Sequence, residues 1–330
     1  MKKECHKCIV RPVAIQDLDD IIALAKTAKA GLTSLPNDPA LLEAKIWHSI
    51  HSFEKMVIHP KDELYLFVME YLPEKKVIGT AAIFAQGGNQ TPFYSFEIEE
   101  IVRESESLKR NKNLSVLNLE KFQPKSSEIG TLFLLPQYRK NGMGRFLSLS
   151  RFLFMGSNRQ RFEPKVIAEM RGVIDENGTS PFWTHVGEKF FDMPFQEADL
   201  ESARSKSFIE ELAPKRPIYI DLLPEEARKV IGEAHPNTLP ALKLLLEQGF
   251  VKTKNIDIFD AGPKLEAQFS DIKTIQDIRQ KKIVGIKKLE SASFGLFLYN
   301  ENYMIMGPYI EESGGIIIDP ITAKMLKIEK

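Results

Sequence analysis

An apolar, β-prone run, Ile129-Gly130-Thr131-Leu132-Phe133-Leu134-Leu135, is cut off by Pro136 and followed by Gln137-Tyr138-Arg139-Lys140-Asn141-Gly142-Met143-Gly144. Few folds accommodate this order. The run has the composition of a buried strand. The R-x-x-G-x-G segment reads as a turn, and a helix is expected from about Arg145 to Ser157, apolar at Phe146, Leu147, Phe152, Leu153 and Met155. Val166 to Met170 reads as a further strand, and Ser180-Pro181 opens a helix through Trp183 and Val186. Strand, helix, strand, helix in succession predicts an α/β fold.

Glycines at a strand-to-helix turn let the backbone bend sharply and approach a ligand. The first amides of the following helix lack intrahelical acceptors and sit at the positive end of its dipole, where they favour a pyrophosphate. Arg139 and Lys140 add positive charge. The turn is not G-x-G-x-x-G and has no Walker lysine, which argues against a dinucleotide or P-loop fold.

The flanking regions supply further elements. Ile9 to Arg11 is a short first strand, and Asp17 is an N-cap candidate for a helix carrying Leu18, Ile21, Ile22 and Ala25, closed by Gly31. Asp38-Pro39 starts a second helix with Leu42, Ile46, Trp47 and Ile50 on one face. Leu64 to Glu70 and Lys76 to Phe84 read as paired strands. Residues 87–127 are polar and charged, bounded by Gly87-Gly88-Asn89 and Pro124-Lys125-Ser126-Ser127, and read as a solvated excursion. Helices are expected over Asp199 to Glu211, Pro224 to Ile231 and Leu239 to Glu247. Gly249 ends the last of these, before a strand through Ile256, Ile258 and Phe259. Short strand-like runs, Ile283 to Ile286, Gly295 to Tyr299 and Gly315 to Ile318, fill the C-terminal part. The expected organisation is one domain over 1–263 and a small β-rich module over 264–330.

At 330 residues with 43% apolar side chains the chain can bury a substantial core. Its 45 basic and 45 acidic residues cancel, so the basic excess of a nucleic-acid binder is missing. No apolar run reaches the ~20 residues of a membrane span, and the N-terminus lacks a signal-peptide core. A soluble cytoplasmic protein is expected. Cys5 and Cys8, the two cysteines, enclose His6 in C-H-K-C. Without a second cysteine pair they read as reduced thiols beside the first strand rather than a metal site.

Strand, glycine turn and helix together resemble the acyl-CoA signature of the GCN5-related N-acetyltransferase superfamily. Ser180 to Phe190 and Ala241 to Phe250 are similar to that superfamily's helix-Gly-aromatic units. Taken in order, several segments resemble the bacterial arginine N-succinyltransferases over residues 9 to 310. They are Ala30-Gly31-Leu32-Thr33-Ser34-Leu35-Pro36, Thr131 to Leu134, Ala168-Glu169-Met170-Arg171-Gly172-Val173-Ile174-Asp175, Ser180-Pro181-Phe182-Trp183, His235-Pro236 and Ile256 to Pro263. Departures fall in 87–127 and at the C-terminal end.

The resemblance implies a mixed sheet flanked by helices and transfer of a succinyl group from succinyl-CoA, a cosubstrate rather than a bound cofactor, to the α-amino group of arginine. It implies CoA contacts at Leu132, Phe133, Leu134, Arg139, Lys140, Gly142, Met143 and Gly144, and a proton donor at His235. Pro236 confines His235 to an extended backbone, and an imidazole suits proton traffic near neutrality. A guanidinium substrate calls for carboxylates and a succinyl carboxylate for a cation. Glu169 and Arg171 are candidates, with a mutual Glu169–Arg171 pair as the alternative, and Thr33 and Ser34 are acceptor-side candidates. Ornithine as acceptor, or a non-catalytic acyl-CoA-binding subunit, stays open here. The resemblance also allows a homo-oligomer or pairing with a paralogous chain.

Overall fold

A computed structural model describes residues 5–28, 32–87, 92–122 and 125–328. Among them the strands are β1 (Cys8–Pro12), β2 (Leu64–Tyr71), β3 (Lys76–Phe84), β4 (Phe93–Ser105), β5 (Arg110–Phe122), β6 (Ser127–Leu134) and β7 (Lys165–Glu169). They continue with β8 (Ile218–Tyr219), β9 (Val251–Ile256), β10 (Pro263–Gln268), β11 (Ile283–Ile286), β12 (Ser293–Tyr299), β13 (Tyr303–Glu312) and β14 (Gly315–Ile318). All join one mixed sheet in the order β11-β14-β13-β1-β2-β3-β6-β7-β10-β9-β4-β5-β8, with β12 beside β13. The expected α/β class is what the chain adopts.

The centre of the sheet is buried on both faces because its sequences allow nothing else. Leu64 to Met69 is buried without a break, as is Val77 to Ile83, the pattern of strands covered on both sides. Helices α1 (Leu18–Ala28), α2 (Pro39–Glu54) and α3 (Met143–Ser157) cover β2, β3 and β6. Asp38 caps α2, its carboxylate accepting from the amides of Ala40 and Leu41, with Pro39 at the first helical position.

A second cluster forms around Trp183, which stacks on Phe191 and Phe259 with ring centroids 5.4 and 5.3 Å away. Segment 264–330 completes β10 in the middle of the sheet and adds β11 to β14 at one edge, where β13 pairs with β1.

Several local expectations are corrected. Residues 93–122, read from the sequence as a solvated excursion, are one with regular secondary structure. They form a ribbon of two 13-residue strands in continuous antiparallel register from Phe93↔Phe122 to Ser105↔Arg110. Only its base meets the sheet, through β9 at Phe96 and Glu97 and β8 at Val116 and Leu117. Beyond that both faces are wetted, so the alternation that identifies a strand is lost among charges. Asp17 is not the N-cap of α1; it ends the 3₁₀ turn Ile15–Asp17, where its carboxylate accepts the amide of the N-cap residue Ala14 and pairs with Arg11 at 2.8 Å. Trp47 is 43% exposed, and Ser49 shares the buried face of α2 with Leu42 and Ile46.

The helix through Trp183 widens into a π turn over Trp183–Gly187. The expected Asp199–Glu211 helix is two, Phe195–Arg204 and Ser207–Leu212, and Pro224 to Ile231 holds a single turn, Glu225–Arg228. Gly31, Gly88, Asn89 and Pro124 lie outside the described residues. Among the described residues no helix is long and apolar enough to cross a membrane, and no group of three His, Cys, Asp or Glu is placed to hold a metal. Cys5 and Cys8 are buried, and Cys5 Sγ donates to the Asn141 carbonyl at 3.4 Å.

Candidate active site in the splay between two strands

β6 and β7 run parallel but pair only at Ser127↔Val166 and Glu128↔Ile167. Beyond Glu128 they diverge, leaving the backbone of residues 129–134 without a strand on that side. Thr131, a β-branched residue, has φ +51°, where such side chains are strained. There the β3–β6 register slips between Thr80↔Phe133 and Ala82↔Gly130, which makes a bulge. Thr80 Oγ1 donates to the Thr131 carbonyl at 2.9 Å and fixes it. The divergence opens a cleft of about 1520 Å³, lined among others by Ile129 to Leu134, Ala168 to Arg171 and His235.

At one end of the cleft is the glycine turn. Asn141 (φ +57°) and Gly142 (φ +85°) are both left-handed, and α3 starts with no side-chain cap. A Cβ on Gly142 would meet no protein atom within 4 Å. The glycine is required by backbone conformation, and it keeps the outer surface of the turn flat. Leu132, Phe133, Leu134, Arg139, Lys140, Gly142 and Gly144 line the cleft. Met143 is 1% exposed, so its side chain belongs to the core beneath the turn. Arg139 folds back on the strand, donating to the Leu134 carbonyl at 2.8 Å over the Phe133 ring.

His235 is placed by a stitched backbone. Asp260 accepts from the amides of Gly172 (2.7 Å) and Gly262 (2.9 Å). The Arg171 carbonyl then accepts the His235 amide at 2.9 Å. These strands approach so closely that a Cβ on Gly172 would stand 2.2 Å from the Asp260 carbonyl oxygen. Gly172→Ala is therefore expected to destabilise the fold by about 2–3 kcal/mol, as overpacking does. Urea unfolding would register this as a lower midpoint at unchanged slope.

His235 begins the 3₁₀ turn Pro236–Thr238, its backbone extended (ψ 139°) as Pro236 demands. Its Nδ1 accepts the Asn237 amide at 3.0 Å. The neutral ring therefore carries its proton on Nε2, which has no protein partner among the described residues. The histidine thus caps the turn with one nitrogen and leaves the other as a donor. Burial and the nearby Arg171 guanidinium lower its pKa below the ordinary histidine value.

The rest of the cleft carries charge. Glu128, on β6 where the splay begins, is pushed up to about 7 by burial and by the facing Glu169 carboxylate, against the pull of Lys206, Lys264 and Lys45. Lys264 lies 3.9 Å from Glu169, and burial lowers its pKa. Lys45 on α2 donates to the Ser34 carbonyl and to Thr131 Oγ1 (3.3 Å). Burial draws it down to about 8, against the attraction of Glu128. Thr33 Oγ1 donates to Asp199 at 2.6 Å.

The alternative Glu169–Arg171 pair does not form. Glu169 faces Lys264, while Arg171 lies in the field of Asp260 and Asp199, its Nε buried and without a hydrogen-bond partner among the described residues. Thr33, Ser34, Glu169, Arg171 and His235 all line the one cleft. Glu128, Lys45, Lys264 and Asp260 were not expected from the sequence. The signal at two of them is a charge lodged in a buried strand, Ser127-Glu128-Ile129 and Pro263-Lys264-Leu265.

Residues 8–274 match the family model described as the arginine N-succinyltransferase beta subunit. The chain belongs to the arginine N-succinyltransferase family. Among its relatives is the arginine N-succinyltransferase of Yersinia pestis (strain Pestoides F), 40% identical over 311 residues, spanning 94% of this chain and 88% of that one. The Photorhabdus laumondii protein of the same name is 41% identical over 286 residues, 86% of this chain and 82% of that one. The arginine/ornithine succinyltransferase subunit AI of Pseudomonas aeruginosa superposes with a TM-score of 0.89 at 31% identity, covering 98% of this chain and 96% of that one. The family is one of acyltransferases.

Proposed function

We propose that this chain transfers the succinyl group of succinyl-CoA to the α-amino group of arginine, in the cytoplasm, giving N2-succinylarginine and CoA. The observation that carries the reading is the single cleft joining the left-handed glycine turn, the unpaired edge of β6 and His235. Phosphates of the carrier rest on the amides at the start of α3 beside Arg139 and Lys140. The pantetheine arm lies along the edge at Leu132, Phe133 and Leu134, where the Leu134 carbonyl already accepts from Arg139, which brings the thioester to the Thr131 bulge.

The acceptor enters from the side of Thr33, Ser34 and Glu169. Its ammonium gives a proton to Glu128, a half-buried carboxylate that titrates near neutrality. The freed amine attacks the thioester carbon; the C–N bond forms and the C–S bond breaks. His235 donates a hydrogen bond from Nε2 to the oxygen and sulfur on which charge develops; the second proton of the attacking nitrogen moves to the sulfur, so the thiolate leaves as thiol and the imidazole stays neutral. Holding both substrates in one cleft supplies the proximity that makes a covalent enzyme intermediate unnecessary.

The test is thiol release from succinyl-CoA with arginine, ornithine and lysine. Turnover with arginine is expected, with ornithine, the second amino acid in the name of the Pseudomonas relative, as the competing acceptor. Thiol release with none of the three would end the proposal.

A further inference from the structure

Arg151 lies on α3 two turns beyond the glycine turn. It is 2% exposed and lines the same cleft on one helical face with Gly144 and Ser148. Its Nε donates to the Ser148 carbonyl (3.2 Å) and its Nη2 to Ser148 Oγ (2.8 Å). Among the described residues it makes no ion pair with any carboxylate. The other buried cations of the cleft differ: Lys264 faces Glu169, and Arg171 lies in the field of Asp260 and Asp199. Arg151 has burial acting on it alone, which draws its pKa down to about 9. A guanidinium taken out of water without an anion is unfavourable by several kcal/mol. Such a group is retained where a ligand supplies the missing charge.

We propose that Arg151 receives the terminal carboxylate of the succinyl group and thereby selects succinyl-CoA over uncharged acyl-CoAs. The inference rests on the proposed succinyl transfer. The cosubstrate carries anions at two places, the phosphates at one end and the acyl carboxylate at the other. The phosphates are taken at Gly142–Gly144. Arg151 stands eight residues after Met143, about 12 Å along the helix at the usual rise, too far to share them. α3 packs against β3 and β6, and Arg151 lines the same cleft as the edge of β6 that takes the thioester in the proposed reading. A guanidinium there meets a carboxylate in low dielectric, where a charge-assisted bond is strongest.

The experiment compares kcat/KM for succinyl-CoA and butyryl-CoA, which differ by the carboxylate, in wild type, Arg151→Met and Arg151→Lys, with arginine as acceptor. For Arg151→Met the succinyl-CoA value is expected to fall roughly 100-fold, the loss seen on truncating one partner of a buried charge pair. The butyryl-CoA value should stay within about threefold, because no uniform binding is removed. Arg151→Lys, which keeps the charge, should recover part of the preference. Equal losses with both donors, or a fall in affinity for CoA itself, would assign Arg151 to the carrier, and no change would leave it structural; each overturns the proposal. Should the methionine variant fail to fold, the donor ratio of the lysine variant decides. Absence of wild-type turnover with succinyl-CoA would instead refute the transfer reading and is seen in the same assay.

Discussion

His235→Ala is expected to lower kcat by about 10²–10³ while leaving the affinity for CoA unchanged, the size of effect that a positioned proton donor supplies. The imidazole is already turned for the task. Its Nδ1 is occupied by the Asn237 amide, so the neutral ring has a single tautomer available, with Nε2–H as donor. Burial and Arg171 hold its pKa below the usual histidine value, so the neutral donor is the prevailing form at neutral pH. It converts to imidazolium only as pH falls through that lowered pKa. The same substitution also removes a turn cap, worth about 1 kcal/mol. Stability loss and turnover loss therefore separate: the first appears in a melting curve, the second in kcat at unchanged KM. Unchanged turnover would remove His235 from the chemistry.

Glu128→Gln is expected to cost about 10²–10³ in kcat/KM at pH 8 and to change the pH profile, as loss of a general base does. The wild-type carboxyl titrates at about 7, so kcat/KM should fall as pH drops through that value and the base is protonated. In the glutamine variant this limb should vanish. Stability supplies an independent sign. The folded-state pKa is raised above that of an unfolded chain, so the folded protein holds this proton more tightly. The contribution is present at low pH and is lost as pH rises through about 7. Glutamine, which never ionises, should therefore melt higher than wild type at pH 8 and no higher at pH 4. A variant that retains the acidic limb would show that another group, such as Asp257 with a pKa pushed to about 6 by its own burial and by Glu169, sets the profile.

The sequence carried the chemistry that is local. The run Ile129 to Leu135, the glycine turn and α3 are contiguous, and each has its own signal of apolar run, left-handed glycine and helical period. The extended backbone of His235 was legible because Pro236 dictates it, whereas its role as a proton donor came only from the resemblance. Glu128, Lys45, Lys264 and Asp260 were not, because their meaning comes from sheet order. β10 inserts beside β7 and brings residue 264 against residue 169, and no spacing along the chain announces this. The β4–β5 ribbon was missed for the opposite reason. It is regular in backbone but wetted on both faces, so its side chains do not alternate. The same applies to Trp47, whose helical spacing matched the buried face but whose position on α2 looks outward.

The sheet order also bears on how the protein is made. The splay depends on β7, and β7 is flanked by β10, a strand that emerges from the ribosome about a hundred residues after it. β1 gains its second neighbour only when β13 arrives. Pairings this distant in sequence slow folding and keep strand edges bare during synthesis. The cleft is thus completed late, and nascent chains depend on shielding of those edges until β10 and β13 have been made.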